Sequence, residues 1–116
     1  MRVKWTPSAK KQWRKTAKYI QTFFGEKSRE AFMQEVFQAS QLLGEYPEMG
    51  KIEPYLANLP RLYRSIVVGH LNKLVYRIDG NIVYIVAFWD TRREPTKQAQ
   101  QTIESLNLES LNNEKP

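Results

Sequence analysis

The chain is 116 residues long, carries a formal net charge of +6 and contains 41% hydrophobic residues, which predicts one domain around a single core. It has no cysteine, so disulfides and thiolate metal sites are excluded. The first ten residues lack the apolar segment of a signal peptide, and no apolar run is long enough to span a bilayer. We therefore expect a cytoplasmic protein that makes no membrane contact.

The positive charge is concentrated in two regions of the chain. Residues 1–30 hold nine Lys or Arg against two Glu, and residues 61–95 hold six against three acidic residues. The segment between them is net acidic. Two basic regions of this kind suggest a polyanion or an acidic protein as partner. For the lysines of the first helix alone, a solvated amphipathic face is the better explanation.

The N-terminal half predicts a strand followed by a helical hairpin. Residues 2–5 alternate in character, and Thr6 is a suitable N-cap because a proline follows it. Gly25 should end this first helix, and a second is predicted from Lys27 to Leu43, closed by Gly44. The short connection favours an antiparallel pair. Aromatic residues at helical spacing are expected to pack in the core rather than form a ligand site: Trp13, Phe24, Phe32 and Phe37.

The C-terminal half predicts a meander of strands. Residues 44–62 contain three prolines and two glycines, which is typical of a loop, with room for one helical turn in residues 53–59. Asp79 and Gly80 predict a tight hairpin, because both residues tolerate a positive φ. The last strand is apolar on both faces and should lie inside the sheet. The three predicted strands are residues 63–68, 73–78 and 81–89.

A final helix completes the predicted fold. Pro95 should start it, and the apolar spacing extends to Leu106. Residues 107–116 are polar and predict a flexible tail, which places the domain at residues 1–106. The element order predicts an α+β fold: a helical hairpin packed on one face of a small, mostly antiparallel four-stranded sheet, in the order β-α-α-β-β-β with a short C-terminal helix.

Three stretches together resemble a known family. They are "TPSAKKQW", "YPEMGK" and "LYRSIVVGHLNKLVYRIDGNIVYIVAFWDTRREP". In this order they are similar to the RelE/ParE toxins of bacterial type II toxin–antitoxin systems, of the plasmid stabilisation type. The resemblance implies a basic cleft on the open side of the sheet and a cognate antitoxin that wraps and neutralises the toxin. RelE-like members cleave mRNA in the ribosomal A site, whereas ParE-like members poison DNA gyrase without cutting nucleic acid.

The cations of the meander are the candidate binding residues. Lys73 and Arg77 alternate onto one face of the middle strand, away from the helices, where a cationic row would suit a phosphate or a carboxylate. Edge charges that prevent aggregation are an equally good explanation for these two and for Arg64. The placement of Arg92 and Arg93 matches the family motif. The predicted polyanion- or partner-binding residues are Arg64, Arg77, Arg92 and Arg93.

The groups for proton transfer are less evident. RNA cleavage by a 2′-hydroxyl needs a base, an acid and cations. RNA-cleaving relatives generally carry a Tyr or His after the last strand, and residues 91–116 contain neither. His70, the only histidine, and Lys73 are the remaining candidate bases. The candidate catalytic residues are therefore Arg92, Arg93, Lys73 and His70.

The absence of a Tyr or His after the last strand favours ParE-like inhibition of DNA gyrase over cleavage of ribosome-bound mRNA. A nucleic-acid-binding domain of the same fold without toxic activity is the further alternative. Asp90 and Asp79 without a supporting histidine make a poor metal site, so we expect no metal and no cofactor. Asp90 should instead cap or pair with the arginines that follow it.

Overall fold

The computed structural model describes residues 1–113 and has the predicted α+β architecture. A helical hairpin packs on one face of a five-stranded sheet of order β1-β5-β4-β3-β2, in which β1 runs parallel to β5 and the other neighbours are antiparallel. The elements are β1 Arg2–Trp5, α1 Pro7–Phe24, α2 Glu26–Glu45, β2 Lys51–Ile52, a 3₁₀ turn Pro54–Leu56, β3 Arg64–Val68, β4 Asn72–Asp79, β5 Ile82–Asp90 and α3 Pro95–Asn113.

The helical hairpin follows from local signals. The backbone N–H of Ala9 donates to Thr6 Oγ1 at 3.3 Å, which confirms the predicted N-cap. Gly25 alone links the helices, with φ of 93° that favours glycine. The prediction that Gly44 closes α2 was wrong, because the helix continues to Glu45. Gly44 instead allows close approach of the N-terminus, since a Cβ there would lie 2.9 Å from the carbonyl oxygen of Met1.

The sheet has one strand more than predicted. β2 is two residues long, and it pairs with β3 through Lys51 opposite Ser65 and Ile52 opposite Arg64. A strand of two residues is too short to show alternation, so the loop pattern of residues 44–62 concealed it. The predicted helical turn is present as the 3₁₀ turn, and the predicted interior position of β5 is confirmed.

A bulge in β5 changes which side chains face the helices. Val75 pairs with Ala87 but Tyr76 pairs with Ile85, so Val86 is an extra residue on β5. Ile85 and Phe88 therefore both pack in the core beneath α1 and α2. As a result Asp90, in register with Asn72, emerges at the end of the sheet on the side of the helical hairpin.

The second face of the sheet is covered, so the expected open face was wrong. Helix α3 and the 3₁₀ turn pack on it, and their apolar residues form a second core with Val75, Ala87 and Trp89. The indole N–H of Trp89 donates to Thr102 Oγ1 of α3 at 3.0 Å. Helix α3 is also longer than predicted, because it continues past Leu106 to Asn113, well into the segment predicted as a flexible tail. The last three residues of that segment lie outside the described residues.

Two of the four aromatic residues expected in the core are exposed. Phe32 is buried and Trp13 packs against the same core, as predicted. Phe24 is 67% exposed, because it is the last residue of α1, one turn beyond Ile20, which packs against that core. Phe37 is 59% exposed and faces a groove between α2 and β1.

Candidate functional site

A cavity of about 680 Å³ lies where the end of β5 meets helix α1. The cations that line it come from two distant parts of the chain, one on α1 and one in the turn between β5 and α3. We call it the rim cavity. Its lining includes Lys11, Lys15, Tyr19, Phe24, Asn72, Asp90, Arg92, Arg93, Gln98 and Gln101.

The turn that carries the two arginines is held firmly at both ends. The backbone N–H of Thr91 donates to the carbonyl oxygen of Leu71 at 2.8 Å. The side chain of Gln98 accepts from the backbone N–H of Asp90 and donates to its carbonyl oxygen, both at 2.9 Å. The carboxylate of Glu94 accepts from the first free backbone N–H groups of α3 and so caps that helix. Arg92 and Arg93 thus project from a rigid scaffold.

Asp90 pairs with Arg92, as the sequence predicted. Its Oδ1 accepts from the backbone N–H of Arg92 at 2.9 Å and from Nε at 3.2 Å, and its Oδ2 accepts from Nη2 at 3.2 Å. Partial burial acts to raise the pKa of Asp90, but hydrogen bonds from the side chain and backbone of Arg92 outweigh it and hold the pKa below its usual value. Asp90 therefore stays ionised and orients Arg92.

The remaining cations of the rim cavity are not neutralised within residues 1–113. Arg93, Lys11 and Lys15 form no ion pair with any residue in that range. All three side chains are exposed. Four cations thus line the cavity together with one carboxylate, so the site suits an anionic ligand.

Sequence reasoning missed the contribution of α1. Lys11, Lys15 and Tyr19 are spaced by four residues, so they lie on one side of the helix. That spacing was visible in the sequence, but nothing local showed that this side would face the turn after β5. The phenol ring of Tyr19 is 49% exposed and lies 4.7 Å from Phe23 and 6.4 Å from Phe24, measured between ring centroids.

The other predicted site residues lie elsewhere. Arg64 is on the helical side of the sheet, in register with Tyr76, and donates to the carbonyl oxygen of Gly50 at 2.8 Å. Lys73 is on the opposite side, where its ammonium pairs with the fully buried carboxylate of Glu53.

Arg77 and His70 are also separate from the rim cavity. Arg77 bonds Asp79 at 2.9 Å and lies over the ring of Tyr84, 5.1 Å from its centroid. His70 is exposed in the turn between β3 and β4 and does not line the cavity. Lys73 and Arg77 thus share the predicted face, but each is paired with a carboxylate. Of the predicted set, only Arg92 and Arg93 line the rim cavity.

A second concave surface runs along β1, one of the two edge strands of the sheet. Two adjoining cavities of about 800 and 380 Å³ share Phe37 and Ser40 and lie between β1 and the helices. Trp5, Trp13 and Met33 make the larger one apolar. The indole N–H of Trp13 is buried and has no hydrogen-bond partner in the described part of the chain. We call this surface the β1 groove.

Among residues 1–113, no three His, Asp or Glu side chains are grouped so that they could hold a metal ion. No helix in the described part of the chain has the length and apolar character needed to cross a membrane.

Two solved structures are similar to this chain. By structure, the chain is similar to a chain of the chromosomal ParDE toxin–antitoxin system from P. aeruginosa, with a TM-score of 0.64, 16% identity, and coverage of 78% of this chain and 95% of that one. It is also similar to the YoeB dimer from Staphylococcus aureus, with a TM-score of 0.50, 21% identity, and coverage of 75% and 92%. At these identities the likeness shows the fold alone.

The sequence comparison is more specific. No curated protein matches the chain with significant sequence similarity. The profile of the family described as "ParE toxin of type II toxin-antitoxin system, parDE" matches residues 3–95, from β1 through the arginine pair to the start of α3. Because this match spans most of the chain, the protein belongs to the family of ParE toxins of type II toxin–antitoxin systems.

Proposed function

We propose that this toxin acts in the cytoplasm by inhibiting DNA gyrase, that the rim cavity contacts the target, and that no nucleic acid is cut. The observation that carries the proposal is the separation of the arginine pair from Lys73 and His70, the two bases predicted from the sequence. Arg92 and Arg93 line the rim cavity, whereas Lys73 pairs with Glu53 on the other side of the sheet and His70 lies outside the cavity. Cations without a lysine or histidine base beside them suit binding better than RNA cleavage by a 2′-hydroxyl.

The direct test compares two reactions with the same purified protein. We expect loss of gyrase supercoiling activity in its presence and no cuts in a reporter mRNA on translating ribosomes, as read by primer extension. Arg92→Ala with Arg93→Ala should relieve the inhibition. A control that removes the same charge elsewhere, Arg2→Ala with Arg14→Ala, should not. Strong cuts at the ribosomal A site with unaffected supercoiling would refute the proposal.

Cleavage of ribosome-bound mRNA is the second candidate function, and one observation favours it. Tyr19 places a phenol in the same cavity as the arginine pair, and a phenol can transfer a proton. Tyr19→Phe separates the candidates, because it keeps the ring and removes the proton. If the wild-type protein cuts mRNA and this variant does not, Tyr19 has a catalytic role.

We propose further that a cognate antitoxin docks in the β1 groove. The groove offers apolar side chains beside the free edge of β1, which suits an amphipathic helix followed by an extended segment. Induced expression of the toxin should arrest growth, and co-expression of the adjacent small gene should relieve the arrest. Normal growth with abundant folded toxin would favour the alternative of a domain without toxic activity.

The docking site has its own variant and control. Phe37→Glu places a charge in the groove and should leave toxicity intact while preventing relief by the antitoxin. Tyr55→Glu, on the 3₁₀ turn away from the groove, should still be neutralised. Association should be faster at low salt because the toxin is basic. An association rate independent of ionic strength would remove this electrostatic contribution.

A further inference from the structure

The rim cavity combines phosphate-binding and base-stacking groups. Lys11 and Lys15 lie on one wall and Arg93 on the other, with Tyr19 one helical turn beyond Lys15. The N-terminus of α3 does not add to this positive charge, because Glu94 already accepts from its free N–H groups. Charged side chains on two walls are therefore the source of attraction for an anion.

The aromatic residues beside these cations are unusually exposed. Phe23 and Phe24, with 66% and 67% exposure, contact Tyr19 at the end of α1. Exposed apolar side chains that cluster in this way mark a surface that a partner covers. Aromatic rings next to Lys and Arg are the combination that binds single-stranded nucleic acid, since bases stack on the rings and phosphates pair with the cations.

The size of the cavity and its remaining polar groups restrict the kinds of ligand that it can bind. A volume of about 680 Å³ is in the range of small-ligand sites, so the cavity has room for a stacked base and its neighbouring phosphates. The amide oxygen of Gln12 accepts from the backbone of Phe88, and both ends of the Gln98 amide bond Asp90. With these amides engaged, few groups can read base edges, so little sequence preference is expected.

We propose that the rim cavity binds single-stranded nucleic acid, with phosphates on Lys11, Lys15 and Arg93 and one base stacked on Tyr19. The inference rests on the proposed function in one respect, namely that the rim cavity is the site that contacts the target. A base-paired duplex does not fit, because its bases are already stacked and cannot offer a face to Tyr19. DNA opened into single strands and single-stranded RNA share the chemistry required.

The test is fluorescence anisotropy with the full chain and labelled 12-residue probes. The probes are oligothymidylate, oligouridylate, a duplex of the same length and an abasic strand. Both base-containing single strands, or one of them, should bind, and the one that binds more tightly identifies the natural source. Loss of the base should weaken binding by roughly 5- to 150-fold. Three phosphate contacts predict that the logarithm of the binding constant falls with the logarithm of salt with a slope of about −2.

Variants assign the stacking to one ring. Tyr19→Ala should weaken binding of oligothymidylate to the level of the abasic strand, and Tyr19→Phe should retain it. Tyr55→Ala, which removes an exposed ring of 46% exposure outside the cavity, should have no effect. Because Tyr19 and Tyr55 are both exposed, all three variants should fold, and circular dichroism checks this.

Several outcomes would overturn the inference. They are equal affinity for the abasic strand, duplex binding as tight as single-strand binding, full affinity in Tyr19→Ala, or binding of a glutamate-rich peptide but of no oligonucleotide. The last would assign the cavity to an acidic protein. Gyrase is absent from this assay, so the two proposals fail separately. Inhibition of gyrase without oligonucleotide binding overturns only this inference, and the reverse result overturns only the proposed target.

Discussion

Replacing Glu53 with leucine should strongly destabilise the fold, because Glu53 is the only acceptor for three groups in the contacts observed within residues 1–113. Its fully buried carboxylate pairs with the ammonium of Lys73, accepts from Ser65 Oγ at 3.0 Å and accepts from the backbone N–H of Tyr55 at 2.9 Å. These contacts tie the 3₁₀ turn to β3 and β4. The variant leaves the ammonium, which is 24% exposed, without its partner.

The expected magnitude follows from removing one member of a buried pair, which destabilises proteins by about 3–5 kcal/mol. Unfolding of 116 residues has an entropy of about 0.24 kcal/mol/K, from about 2.1 cal/mol/K per residue. The melting temperature should therefore fall by roughly 12–20 °C. This is a large share of the total stability of about 5–15 kcal/mol that is usual for a domain.

The assay is thermal unfolding followed by circular dichroism. Glu53→Leu combined with Lys73→Met should recover at least half of the loss, because two apolar residues replace two charges. Glu45→Ala, on the exposed end of α2, serves as a control and should change stability by less than about 0.5 kcal/mol. A decrease of less than about 4 °C in Glu53→Leu, or no recovery in the double variant, would refute the reasoning. Growth arrest by the folded double variant would further indicate that Lys73 is not needed for toxicity.

Three other expectations concern single groups. Tyr76→Phe should destabilise by about 1–3 kcal/mol in urea unfolding, because the buried hydroxyl accepts from the backbone N–H of Gly50 at 2.9 Å; a change below about 0.5 kcal/mol would contradict this. Thr102→Val should lower stability by about 1–3 kcal/mol and alter Trp89 fluorescence, since the indole N–H loses its acceptor; unchanged emission and stability would argue against that contact. Partial burial acts to raise the pKa of Asp90, but hydrogen bonds from Arg92 outweigh it and lower the pKa overall. The ionised carboxylate therefore stabilises the fold above the unfolded pKa, and this stabilisation is lost as pH falls through the folded pKa. Asp90→Asn should therefore flatten the acid side of the stability curve, and identical curves for the two proteins would exclude this contribution.

The sequence by itself determined the elements whose signals are local. Thr6 and Gly25 delimit α1 through contacts within four residues, and Gly80 takes a positive φ of 58° in the hairpin turn. Asp79, which was predicted to share that turn, is instead the last residue of β4 and pairs with Ile82. The position of Arg92 and Arg93 just beyond the last strand was equally local. Such features depend on neighbouring backbone groups, so a pattern of a few residues is sufficient to predict them.

The tertiary structure alone decided which charges are free. The bulge at Val86 turns Asp90 toward α1, and no residue type in β5 predicts this bulge. Glu53 neutralises Lys73 across 20 positions, and Tyr19 reaches the cavity of Arg92 from the other end of the chain. These partners meet because α3 and the 3₁₀ turn cover one face of the sheet while α1 lies beside the turn that follows β5. The burial and pairing of a charge depend on residues distant in sequence, which alternation and spacing along one strand cannot specify.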